Sequence, residues 1–167
     1  MIRRCGEADV PAICAVVNDA AEAYRSVIPA DCWHEPYMPE SELRGEIAAG
    51  VVFWGAEDGG PLVGVMGLQD VQDVALIRHA YVATAARRHG VGGELLQHLL
   101  AQTDRPILVG TWAAATWAIR FYEKHGFALT APAEKARLLR RYWSIPDRQI
   151  ETSVVLTDAR WRARSAS

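Results

Sequence analysis

Little in this sequence points beyond a plain globular domain. Cysteine is scarce: Cys5, Cys14 and Cys32 are odd in number and follow no metal-type spacing, so neither a closed disulfide framework nor a zinc site is expected. His34-Glu35 has no second histidine at helical spacing, which removes the common zinc-protease signature. An excess of one charge is also missing. Lys and Arg number 18 against 20 Asp and Glu, and this balance excludes the broad basic surface of a nucleic-acid binder. No apolar run is long enough to cross a bilayer, and Met1-Ile2-Arg3-Arg4 leads into no signal-peptide core. The expectation is a cytoplasmic protein with no membrane partner. Internal repeats, low-complexity tracts and inter-domain linkers are lacking, and 167 residues, half of them hydrophobic, suit one domain with a sizeable core.

What is present is an orderly series of short apolar runs and helical stripes. The patterning predicts strands over residues 1–5, 51–57, 61–71, 74–82, 106–112, 127–130 and 149–156. Helices are predicted from Asp9 past Tyr24, and over 41–49, 94–102, 114–125 and 134–143. The first places Val10, Ile13, Cys14, Val17 and Ala20 on one face, with Asp9 as cap. Residues 28–39 are the least regular part. Pro29, Pro36 and Pro39 prevent a continuous helix there, while Trp33, Tyr37 and Met38 need something to pack against.

The rest of the chain is organised around Arg87, Arg88, His89, Gly90, Val91, Gly92 and Gly93. This stretch follows a predicted strand and opens a predicted helix. The first turn of a helix has backbone N–H groups with no internal partner, and its macrodipole adds partial positive charge. Glycines there let an anion approach the backbone, and the two arginines and His89 add donors at the rim. The dinucleotide pattern G-x-G-x-x-G is missing, and no Gly-Lys-Ser/Thr ends the turn as in a P-loop.

What stands there is Arg-x-x-Gly-x-Gly, from Arg87 to Gly92, directly after Tyr81-Val82, and it resembles the acyl-CoA pyrophosphate loop of the GCN5-related N-acetyltransferases. Downstream, Ala118-Ile119-Arg120-Phe121-Tyr122-Glu123-Lys124-His125-Gly126-Phe127 resembles that family's next helix and following strand. The resemblance covers most of residues 63–127. It implies an α/β (α+β) fold, with a mixed, largely antiparallel seven-stranded sheet flanked by helices, in a single domain over residues 1–160. It also implies acetyl-CoA as cofactor and acetyl transfer to a primary amine, either of a small molecule or of a peptide N-terminus, by direct attack in a ternary complex. The rival reading keeps the fold as a non-catalytic acyl-CoA-binding or sensing module.

Site residues follow from the same resemblance. Ala80, Tyr81 and Val82 would bond the pantetheine arm where the fourth strand parts from its neighbour at a bulge, and residues 87–93 would hold the pyrophosphate. Tyr122 would protonate the departing thiolate; a buried tyrosine bonding a carbonyl is the alternative. The irregular segment would form one wall of the acceptor site, making Tyr24, Arg25, Trp33, His34, Glu35 and Tyr37 substrate candidates, or else Trp33 and Tyr37 simply pin a loop to the core. The attacking amine must be neutral, so a base is needed. His79, His34, Glu35 and Glu151 are candidates, with His79 first because the fourth strand runs beside the thioester; a structural His79 is the other reading. Three positions depart from the family pattern: Ala115 stands near a common asparagine, Thr84 replaces a frequent proline and Arg88 a frequent glycine.

Two further expectations concern packing. Trp117, Ala118, Phe121 and His125 share a helical stripe that reads as core, with Tyr122 at its border. The helix around Leu138, Tyr142 and Trp143 carries more apolar surface than a solvent-facing insertion needs, so it would pack on a second subunit as a homodimer or close over the acceptor site. Residues 161–167 read as a loosely held tail.

Overall fold

A computed structural model describes residues 1–165. Seven strands form one sheet: β1 (Ile2–Arg4), β2 (Val52–Glu57), β3 (Leu62–Val71), β4 (Val74–Val82), β5 (Ile107–Trp112), β6 (Ala128–Leu129) and β7 (Ser153–Thr157), in the order β1-β2-β3-β4-β5-β7-β6. Every neighbouring pair is antiparallel except β4 and β5. Parallel neighbours need a crossover, and α3 (Val91–Leu100) provides it.

Alternation along the strands feeds two faces. On one, Met66, Ala75, Ile77, Ile107 and Val109 pack against Leu95, Leu96 and Leu99 of α3 and Tyr122 of α4 (Thr116–Lys124). On the other, Phe53 and Val65 meet α1 (Val10–Ala21) and α2 (Glu40–Ala48). Farther along that face, Val74, Leu76, Leu108 and Val155 meet α5 (Pro132–Tyr142) and α6 (Asp147–Thr152). Each fully buried leucine-sized side chain contributes about 1.5–3 kcal/mol, so these clusters fix which face each helix covers.

The feature that matters for function is where the sheet comes apart. β4 and β5 pair only at Ala75–Ile107, Leu76–Leu108 and Ile77–Val109, after which the two strands separate. The cause lies on β4. Gly67 of β3 faces Arg78 while Val65 faces Tyr81, so His79 and Ala80 occupy the place of one residue. Such a bulge bends its strand and raises the local twist. His79 sits in it at φ +54°. Gly67 allows this: a Cβ there would lie 2.8 Å from the Arg78 carbonyl.

Several expected boundaries shift. α1 stops at Ala21 and gives way to a 3₁₀ turn at Glu22–Tyr24, and its buried face is Val10, Ile13, Val16, Val17, Ala20 and Ala21, with Val16 in the place expected for Cys14. The Asp9 side chain does not cap α1. It bonds Arg3 at 2.7 and 2.9 Å and accepts the Gly6 N–H at 2.7 Å, and these two partners hold its pKa at about 2. Residues 149–152, expected to open the last strand, instead finish α6, because Pro146 sets a helix start with Asp147 in its first turn. The three cysteines are free thiols.

The last third is more tightly held than expected. Leu138, Leu139 and Tyr142 are buried in the chain's own core, and the Tyr142 hydroxyl donates to Asp73 at 2.7 Å. Much of the apolar surface that suggested a second subunit or a lid is therefore packed within the chain, while Leu139 and Trp143 also line a cavity beside β4 and β5. Residues 161–165, expected as loose, complete α7 (Ala159–Ser165). Arg160 donates to the carbonyls of Leu100 and Thr103, Arg162 to those of Thr157 and Gly126, and Trp161 packs edge-on against Tyr142. Positions 166 and 167 of that expected tail lie outside the described residues. No helix among the described residues is long and apolar enough to cross a membrane.

Candidate functional site

A cleft of about 660 Å³ lies between the parted end of β4, the start of α3, the exposed side of α4 and the end of α1. Its rim is the glycine-rich turn. Gly90 adopts φ +78° as the residue before α3, a conformation that glycine takes without cost. The Glu94 N–H bonds the Gly90 carbonyl at 3.0 Å, which leaves the N–H groups of Val91, Gly92 and Gly93 without a partner inside the helix. Gly90, Val91, Gly92 and Gly93 line the cleft together with Arg87 and Arg88. The turn is tied to the end of α1: the Thr84 N–H donates to Asp19 at 2.7 Å and Arg87 to the Ala20 carbonyl at 3.4 Å. Arg88, where a glycine was noted as frequent, holds φ +68°. A non-glycine residue there costs roughly 1–2 kcal/mol and places a guanidinium at the cleft rim in return. His89 is exposed and does not line the cleft.

Deeper in, the walls are apolar and aromatic. Ala80, Tyr81 and Val82 supply the β4 side, and Ala118, Phe121 and Tyr122 the α4 side. Tyr122 is buried with its ring edge-on to Phe121 and Phe127, centroids 5.1 and 5.7 Å away. Burial, reinforced by Tyr24, pushes its phenol above the ordinary value, so at neutral pH the group holds its proton and can act as a donor. Trp117, expected in the core stripe, is instead exposed at the cleft rim. Ala118 and Tyr122 take the buried positions, and Tyr122 joins the core cluster on the sheet, with Ile119 and Phe121 packed against it. Tyr24, expected on the acceptor side, also lines this cleft, 5.1 Å from Trp117 and 5.8 Å from Tyr81.

A second, smaller cavity of about 150 Å³ opens on the α5 side of the same parting. It is lined by His79 and Ile77 of β4, Gly110 and Trp112 of β5, Trp143 beyond α5, and Tyr37. Gly110 lets Trp143 approach: a Cβ there would touch the indole at 3.4 Å. Tyr37 is delivered by the irregular segment, which Asn18 clamps by bonding both the N–H and the carbonyl of Met38. The Tyr81 hydroxyl lies 3.4 Å from that of Tyr37, so cleft and cavity meet at this pair.

The other candidates of that segment do not enter either cavity. Arg25 stacks over Trp33 at 4.8 Å and pairs with Glu22 and Glu35, Trp33 donates to Glu35 at 2.9 Å, and His34 bonds the Pro36 carbonyl. Trp33 and His34 also stack on Tyr37. These four residues form an exposed knot that holds Tyr37 in place. Glu151 is exposed on α6 and lines neither cavity. Met66, Trp117, Lys124 and His125 in the cleft, and Trp112 and Trp143 in the cavity, were not among the sequence candidates. Trp117, His125 and Trp143 carried a signal only as members of helical stripes, and Lys124 as part of the downstream motif; Met66 and Trp112 reach the site through tertiary packing. Among the described residues no cluster of three or more His, Cys, Asp or Glu is placed to hold a metal ion.

A family model described as an acetyltransferase (GNAT) domain matches residues 49–129, the span from the end of α2 through β6. No curated protein matches the sequence. Among solved structures, a PaiA N-acetyltransferase from Thermoplasma acidophilum, in complex with coenzyme A, aligns with a TM-score of 0.71 at 16% identity, covering 95% of this chain and 97% of its own. The ribosomal-protein-S18-alanine N-acetyltransferase of Escherichia coli aligns at 0.68 with 17% identity, over 95% and 92% of the two chains. A ribosomal-protein-alanine N-acetyltransferase from Brucella melitensis shares 25% identity over 78% of this chain and 86% of its own, at 0.61. The parted β4–β5 pair, the glycine turn opening α3 and the domain model matched over residues 49–129 together give this chain the GNAT acetyltransferase fold.

Proposed function

We propose that this chain binds acetyl-CoA in the larger cleft and transfers its acetyl group to a primary amine that enters through the smaller cavity. The observation that carries the reading is the parting of β4 from β5, which has a glycine-rich, helix-opening turn at one end, a buried phenol inside it and a cavity on its far side. The residues fit the group. The N–H groups of Val91, Gly92 and Gly93, with Arg87 and Arg88, would hold the pyrophosphate, and the free edge of Ala80, Tyr81 and Val82 would pair with the amide-rich pantetheine arm. Coenzyme A in the Thermoplasma structure of the same fold supports this choice of cofactor.

Acetyl-CoA supplies an activated thioester. Tyr122 would donate its proton toward the sulfur as the bond to carbon breaks, and His79, in the acceptor cavity, would take a proton from the amine. Tyr37 would contact the acceptor. The E. coli and Brucella proteins carry names that specify ribosomal-protein alanine, so a peptide N-terminus belongs beside small amines among the acceptors to try.

The experiment is an acetyl-CoA-dependent thiol-release screen over small amines, amino acids and alanine-initiated peptides, run alongside calorimetry with acetyl-CoA. Saturable binding plus turnover of at least one amine is the expected result. Binding without any turnover would put the acyl-CoA-binding module in its place, and absence of binding would remove both.

A further inference from the structure

His79 and Glu46 are brought together from β4 and α2, which the sequence separates by more than thirty positions. The His79 Nε2 atom is buried and has no hydrogen-bond partner, and Glu46 Oε2 stands 3.5 Å from it. That separation is at the long limit of a hydrogen bond, and the carboxylate is the negative group that faces this nitrogen. The Glu46 carboxylate is itself fixed. Arg78 reaches the same oxygen at 3.1 Å and anchors its other guanidinium nitrogen on Gln69 at 2.9 Å. The carboxyl is held below the usual carboxylate range first by His79, with Arg78 adding to the effect against the cost of burial. Phe53 of β2 stacks on the ring, centroids 6.1 Å apart. Glu46 and Arg78 are thus the charged groups around His79, and Tyr37 shares its cavity.

We propose that Glu46 is a positioning residue: it keeps the His79 proton on Nε2, so that Nδ1 presents the lone pair that accepts a proton from the acceptor amine. An ionised carboxylate can only accept, so the ring nitrogen facing it must be the one that carries hydrogen. The other nitrogen is then the base, and the imidazolium formed on it lies next to a fixed negative charge. The backbone agrees. A histidine at φ +54° is strained, and the bulge that imposes it aims the ring between α2 and the cavity.

The inference rests on the proposed acetyl transfer, whose protons then balance. From ammonium to amide, the acceptor nitrogen loses two protons. One passes through His79 Nδ1 to solvent, and the other matches the proton that Tyr122 delivers to sulfur as the C–N bond forms and the C–S bond breaks.

Two measurements test the dyad. Nitrogen-15 NMR of the His79 ring in the whole protein, recorded with the ring neutral, reads the tautomer and needs no acceptor. The expected result is an Nε2–H ring in the native chain and a mixture in Glu46→Ala. A native Nδ1–H ring, or an unchanged ring in the variant, would overturn the proposal. In the transfer assay, Glu46→Gln should lower kcat at least about tenfold with acetyl-CoA affinity unchanged. Should that variant unfold, Glu46→Asp keeps the charge on a shorter arm and should retain the Nε2–H tautomer with a smaller loss of kcat. Full kcat in Glu46→Gln would also overturn the proposal, whereas failure of acetyl-CoA to bind the native chain would strike the parent reading and leave the tautomer result standing.

Discussion

The cleft and the cavity lie on either side of one break in the sheet, yet they are built from different material. The glycine-turn end of the cleft is backbone: the N–H groups of consecutive residues Val91, Gly92 and Gly93, aimed by a single left-handed glycine. The cavity is made of side chains that come from well-separated segments, Tyr37, His79, Trp112 and Trp143 among them. A backbone site depends on φ and ψ, and only a side chain that blocks approach or forbids the conformation disturbs it. A side-chain site changes with every substitution at its walls. One fold can therefore keep a common acyl donor while its acceptor varies.

Three variants press on that difference. Tyr122→Phe should have the largest effect. It keeps the ring that packs on Phe127 and removes the hydroxyl, so kcat should fall about 10²–10⁴-fold while calorimetry finds acetyl-CoA affinity nearly constant. Near-full kcat, measured where chemistry limits the rate, would make water the proton source and Tyr122 a packing residue.

Gly92→Val comes next. A Cβ at this position would already stand 3.4 Å from the Phe121 ring and 3.6 Å from Val82, so the added methyls must crowd the turn. Acetyl-CoA should bind at least tenfold more weakly, roughly 1.4 kcal/mol, with the acceptor KM little changed. Equal affinity in a folded variant would mean that the turn does not hold the donor. The mirror-image variant is Gly110→Val, where the new side chain must press on the Trp143 indole. Trp143 is half-buried and can give way, so the acceptor KM should rise by no more than about tenfold and acetyl-CoA affinity should stay put. If Gly110→Val weakened acetyl-CoA instead, the smaller cavity would belong to the donor and the division between the two sides would fail.

The same difference explains which parts could be read early. Residues 87–93 are contiguous, so their spacing announces an anion site, and all but His89 line the cleft. Tyr122 was placed in advance by its neighbours in a ten-residue motif, and the structure puts it in that cleft. The acceptor candidates fared differently. Of the six acceptor candidates, only Tyr37 lines the smaller cavity, Tyr24 faces the larger cleft, and the remaining four brace Tyr37. Trp143 leaves the end of α5 to lie on Gly110, a contact between residues that no local pattern connects.

By itself, the sequence determined the alternation of strands and helices, the turn that can hold an anion and the order of the two motifs. Each of these is a local property, set by hydrophobic period, glycine placement or residues close in the chain. Only the tertiary structure decided that much of the apolar face of α5 packs into the core, that α7 is held by arginines reaching back to Leu100 and Thr157, and that Glu46 stands beside His79. Those outcomes turn on how the sheet twists and where β4 bulges, which brings together groups whose separation along the chain carries no trace of their nearness in space.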